Sequence, residues 1–121
     1  MEPFISLGLK DGAHLVDVTF YRGAAALMAH DLGTQDSTGL MAQLAGDAHL
    51  ANFGGFATAE RVLVFDLNDF DETLPGPFEW DVKRLVASFE VAGQASGFSS
   101  AQRSEIVAAV ADEYRAGMAE F

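Results

Sequence analysis

The side chains best suited to chemistry in this 121-residue sequence lie between Asp47 and Asp81. Asp47, Glu60, Asp66, Asp69, Asp71, Glu72, Glu79 and Asp81 stand there against a single basic residue, Arg61. Carboxylates held within ~4–6 Å of one another raise each other's pKa and cost stability unless something offsets them. A hard cation such as Mg²⁺ or Mn²⁺ is one such offset, held by one or two carboxylates, an amide oxygen and substrate phosphates. On a solvated loop the same charges would cost little and do nothing, which is the plain alternative. Here the acids follow strand-like apolar residues, which fixes their direction and favours convergence. The sharpest local feature is the glycine-led polar loop Gly46-Asp47-Ala48-His49-Leu50-Ala51-Asn52.

Short elements have to position these groups. Residues 1–19 read as irregular, with an apolar stretch at Leu15, Val16 and Val18. Tyr21 to Leu32 reads as a helix, because its run from Ala24 to Ala29 carries little propensity cost. Gly33 offers the left-handed conformation that ends helices, and Thr34 to Gly39 reads as a loop. Leu40 to Ala45 is short and apolar, compatible with a buried strand. Phe53–Phe56 and Val62–Leu67, joined by Ala57 to Arg61, read as a β-hairpin. Asn68 to Pro77, rich in acids and broken by proline and glycine, reads as a loop. Phe78, Val82, Leu85, Val86 and Phe89 form one apolar stripe at helical period, with Gly93 and Gly97 bracketing its end. Ser99 or Ser100 can cap a last helix, in which Ile106, Val110, Tyr114 and Met118 recur every four residues. The expected fold is α+β, with a β-hairpin and about three helices, in one partial domain over residues 1–121.

Composition removes several classes of function. The formal net charge is −11, from 7 basic and 18 acidic side chains, so no basic stripe exists to grip nucleic-acid phosphates or an anionic membrane. Zero Cys excludes disulfides, thiolate nucleophiles and Cys-ligated metal together. No apolar run approaches the ~20 residues of a membrane span, and the first ten residues lack the pattern of a secretory signal. A cytoplasmic protein is expected. With half its residues hydrophobic, 10 of them Phe, the chain can bury a core.

Asp47 and Asn52 have the spacing at which kinase-like phosphotransferases place two loop residues. The Asp takes the proton of the attacking hydroxyl and the Asn holds a metal. Gly46-Asp47-x-His49-x-x-Asn52 resembles the loop of aminoglycoside phosphotransferases and choline-kinase-like enzymes. Phe78-Glu79-Trp80-Asp81-Val82 is similar to their later helix start, whose Asp braces that loop. More closely, roughly Asp17 to Phe121 resembles the amino-terminal part of the bacterial family called domain of unknown function 2252. The carrying motifs are Phe20-Tyr21-Arg22-Gly23-Ala24-Ala25, Gly46 through Gly54, Phe65-Asp66-Leu67-Asn68-Asp69-Phe70-Asp71-Glu72 and Pro75 through Leu85.

The resemblance implies a partial kinase-like catalytic lobe over residues 20–121 that acts on a small molecule, with Mg²⁺ as cofactor and ATP as donor. Asp47 would be the base, Asn52 with Asp66 or Asp69 the metal ligands, and Asp81 the brace, with His49 and Arg22 in support. Counting forward from Asn52 through the hairpin favours Asp66; counting back from Asp81 favours Asp69, followed by Phe70. Asp71 and Glu72 are expected to stay solvated or to pair with Arg22 or Arg84. Three departures stand out. Ala45 replaces the His usual before the Gly-Asp pair, no glycine-rich phosphate cover is found, and neither Lys10 nor Lys83 suits the ATP-binding Lys. Family members run to several hundred residues, so the chain is expected to be a fragment, inactive alone, that lacks a complementary lobe.

Rival readings remain. Val62 to Asn68 resembles the nucleophile strand of a haloacid-dehalogenase-type phosphatase, but Asn68 replaces the second Asp and cannot move the leaving group's proton. A metallophosphoesterase would need further His ligands, which His14 and His30 do not supply by spacing. An EF-hand fails because neither Asp66 nor Asp69 has Gly at the sixth loop position. A non-catalytic interaction remnant that self-associates through exposed apolar surface is the rival from a different class.

Overall fold

The computed structural model describes residues 25–121. The irregular start expected for residues 1–19, the first residues of the helix expected from Tyr21, and Arg22 lie outside the described residues. Helix α1 spans Ala25–Gly33, strand β1 Met41–Leu44, strand β2 Phe53–Ala57 and strand β3 Leu63–Leu67. Strand β4 is Leu74–Pro77, helix α2 Glu79–Ala95 and helix α3 Ser100–Glu120. The class is α+β, as the residue patterning requires. Gly33 closes α1 without taking a positive φ; Thr34 and Gln35 instead donate back to Asp31 and Leu32.

Two small antiparallel sheets form. β2 and β3 make the expected hairpin, from Phe53 opposite Leu67 to Ala57 opposite Leu63. The second sheet is not legible in the sequence: β4 pairs with β1, from Met41 opposite Pro77 to Leu44 opposite Leu74. The stretch Asn68 to Pro77 is therefore loop only as far as Thr73. Pro75 and Pro77 conceal the strand because proline cannot donate to a ladder, yet a strand with a single neighbour tolerates it. Gly76 lets the strands pack closely, since a Cβ there would come within 2.6 Å of Leu44 Cδ1 and the leucine side chain would have to turn aside.

The helices end where side chains and glycine satisfy their last backbone groups. After α2, Gly97 takes φ +75° and donates to Gln94 O, while Phe98 donates to Gly93 O. This is the Schellman pattern. Gly93, expected to bracket the helix end, instead lies within α2 against Arg103 and Phe98. Ser99 caps α3 reciprocally with Gln102, the two bonds being 3.2 and 2.9 Å.

The core is small and partly polar. Leu32, Leu44, Ala45, Ala48 and Ala95 are buried, and His49, Asn52, Arg84 and Ser88 are buried with them. Most of these lie on the segment from β1 to the hairpin or on the first half of α2. The fold thus places its best-enclosed volume around the Asp47 loop.

Candidate functional site around the Asp47 loop

The loop between β1 and β2 owes its path to Gly46, which takes φ +81°. A Cβ at this position would sit 1.9 Å from Glu72 O, so no other residue fits against the turn before β4. Downstream, Leu50–Asn52 closes as a single 3₁₀ turn, with Asn52 N donating to His49 O at 2.8 Å.

Three residues of α2 grip this loop: Asp81, Arg84 and Ser88, at i, i+3 and i+7 on one helical face. Asp81 Oδ2 accepts from Ala45 N at 2.7 Å, and its Oδ1 accepts from Gly46 N at 3.1 Å. Ser88 Oγ accepts from Leu50 N at 3.0 Å and donates to Leu85 O at 2.6 Å. Arg84, 3 % exposed, donates from Nε to Asp47 Oδ1 at 2.8 Å and from Nη2 to the same oxygen. Ionised donor–acceptor pairs of this kind are about twice as strong as neutral ones. Arg84 therefore pairs with Asp47, not with Asp71 or Glu72, both of which are exposed.

The other Asp47 oxygen, Oδ2, lies 3.3 Å from His49 Nε2. His49 is buried, its ring directed at this carboxylate. Asn52 links the loop to the turn after the hairpin. Its Nδ2 donates to Asp47 O at 3.1 Å and Asp69 O at 3.0 Å, and its Oδ1 accepts from Asp69 N at 3.0 Å.

Asp47, His49, Asn52 and Asp69 are therefore joined by direct bonds or close contact; Asp81 instead holds the backbone of Ala45 and Gly46 just before Asp47, and Arg84 and Ser88 complete the grip on the loop. Asp66 is not tied to them by a hydrogen bond; it sits exposed on β3, and its Oδ1 accepts from Leu67 N at 2.8 Å. Asp69 Oδ1 accepts from Asp71 N at 2.9 Å, turning the exposed acidic segment back on itself. Sequence reasoning does not single out Arg84 and Ser88 as site residues. Their signal is a polar stripe beside the apolar one on the same helix.

Among the described residues no three His, Asp or Glu side chains converge to hold a metal. Asn52 Oδ1 retains a second lone pair beside the Asp69 turn, which matches the few protein ligands that Mg²⁺ takes alongside water and phosphate. For ATP phosphates the described residues offer no glycine-rich cover, and Lys83 donates to Gln35 Oε1 instead. Among the described residues β3 pairs with β2 alone, in a two-stranded sheet, and α2 and α3 follow β4. No helix of the described residues is long and apolar enough to cross a membrane.

A family model described as uncharacterized protein conserved in bacteria (DUF2252) matches residues 17–121, and the chain belongs to that family. The description names no activity. No curated protein and no solved structure matches the chain.

Proposed function

We propose that this member of the family carries the acceptor-side loop of a kinase-like phosphotransferase acting on a small hydroxyl compound. The observation that carries the reading is a double anchorage. Asp81 takes two main-chain N–H groups of the loop, and Asn52 ties the Asp47 carbonyl to Asp69. Such bracing is what a loop needs to hold one carboxylate in fixed geometry, because positioning supplies most of the catalysis in phosphoryl transfer.

In this reading Asp47 orients the attacking hydroxyl and accepts its proton through Oδ2, while Arg84 holds Oδ1. Asn52 and Asp69 would hold Mg²⁺, which neutralises charge on the transferring phosphate when bound. Asp69 is preferred to Asp66 because the Asn52 amide reaches the Asp69 backbone and no bond joins it to Asp66. The described residues furnish only this half of a site, so the phosphate-covering groups have to come from elsewhere.

The test replaces Mg²⁺ by paramagnetic Mn²⁺ and adds ATP to ¹⁵N-labelled protein. Selective broadening of the Asp47, Asn52 and Asp69 amides, lost in Asp69→Ala and kept in Asp66→Ala, is the expected result. Broadening centred elsewhere, or none at saturating metal and nucleotide, overturns the assignment.

A further inference from the structure

The two oxygens of the Asp47 carboxylate have unequal neighbours. An ionised carboxylate only accepts hydrogen bonds, through about four lone-pair directions shared between its oxygens. Arg84 fills those of Oδ1, donating from Nε at 2.8 Å and also from Nη2. On the Oδ2 side stands the imidazole of His49, with Nε2 at 3.3 Å. Two lone pairs facing one another at that separation repel, so Nε2 has to carry a hydrogen, in the neutral ring as in the charged one. The backbone on either side holds the ring in place: His49 O accepts from Asn52 N at 2.8 Å, and Leu50 N donates to Ser88 Oγ at 3.0 Å. Exposure then separates the two partners. The Asp47 side chain keeps 22 % exposure and that of His49 only 6 %, so a solute reaches the carboxylate and not the imidazole.

We infer that His49 is a positioning residue, fixed with its hydrogen on Nε2 and turned toward Asp47 Oδ2. It acts on a ligand only through the carboxylate. With Oδ1 filled by Arg84 and one direction of Oδ2 taken by His49, a single acceptor direction is left. A group with one hydrogen to give, such as a hydroxyl, matches it. The inference rests on the phosphotransferase reading for the identity of that ligand, whereas the arrangement of Arg84, Asp47 and His49 stands on its own contacts.

The test reads the ring nitrogens directly in the full chain, without metal or nucleotide, so its outcome is independent of the Mn²⁺ experiment. Long-range ¹H–¹⁵N spectra of histidine-labelled protein are recorded at about pH 9, where free imidazoles are neutral. His49→Gln identifies the His49 signals among those of the three histidines. In wild type the Nε2–H tautomer is expected to outweigh the other by roughly tenfold, the margin that a hydrogen bond to a charged acceptor supplies. Asp47→Asn should reverse this. The Arg84 hydrogens keep the amide oxygen, the amide NH₂ then faces His49, and Nε2 has to accept, which moves the ring hydrogen to Nδ1. In the Arg84→Met, Asp47→Asn double variant the amide is free to turn its oxygen to His49, and the Nε2–H form should return. Packing alone would leave the same tautomer in wild type and both variants. That result overturns the inference, as does an Nδ1–H tautomer or an even mixture in wild type. Absence of Mn²⁺ broadening with the tautomer pattern intact would instead defeat the phosphotransferase reading and leave the placement of His49 standing.

Discussion

The Asp47 loop and the hairpin that follows it are adjacent in sequence, yet they meet the rest of the protein by different forces. From Leu44 to Asn52 the chain is held by charged and polar side chains of α2, and it contains His49 and Asn52, both about nine-tenths or more enclosed. From Phe53 to Leu67 the chain offers apolar side chains to a groove that remains open, and Phe65 and Leu63 face solvent. Directional bonds fix atoms to within tenths of an ångström, as chemistry requires, whereas apolar contact is tolerant of shape and suits docking. One part of the molecule is thus held by directed polar bonds, and the next leaves its apolar side chains open.

Three experiments can break or sharpen this contrast. The largest effect is expected from Arg84→Met, which strips the cation from a partly enclosed carboxylate. Breaking such a pair destabilises by about 3 kcal/mol, the lower end of the usual range because Asp47 keeps 22 % side-chain exposure. Urea denaturation measures it, and most of the loss should be recovered in the Arg84→Met, Asp47→Asn double variant. A change below that of any hairpin-side substitution would dissolve the distinction between the two regions.

Asp81→Asn comes next. An amide can accept from one of the two loop N–H groups through its single oxygen but not match a carboxylate on both, so a loss of about 2 kcal/mol is expected. Hydrogen exchange at the Ala45 and Gly46 amides should accelerate more than exchange in the β2–β3 ladder; equal acceleration everywhere would mean global loosening rather than loss of a local brace.

The smallest effect belongs to the helix pair behind the groove. Glu90 lies below the usual glutamate range, first because Gln94 donates to it and then because Arg103 bonds and attracts it. A carboxyl with a depressed folded-state pKa stabilises the fold above its unfolded pKa and loses that contribution as pH falls through the folded value. The small stability difference between wild type and Glu90→Gln should therefore be present at neutral pH and vanish in acid. A difference that persists below the folded pKa would show that packing, not charge, links α2 to α3.

How much can be read without the structure differs by element. The hairpin, the long α2 stripe and the Ser99 cap are legible because each is local: alternation, helical period or a side chain bonding three residues away. Strand β4 is hidden, since Leu-Pro-Gly-Pro looks like a breaker until β1 lies beside it. Asp47, Asn52 and Asp81 stand out by type and spacing, while Arg84 and Ser88 do not, because a buried polar stripe on a helix looks like a solvated one.

The order of residues alone therefore determined which segments could be helix or hairpin, which side chains could bear charge, and the acidic balance of the chain. Only the tertiary structure decided which carboxylates are held and which are free. It turned Arg84 toward Asp47, and it joined Asn52 to Asp69 and not to Asp66. Local patterns act through the geometry of a few neighbouring residues, whereas a charge or amide is satisfied by whatever the fold brings within about 3 Å, however distant in the chain.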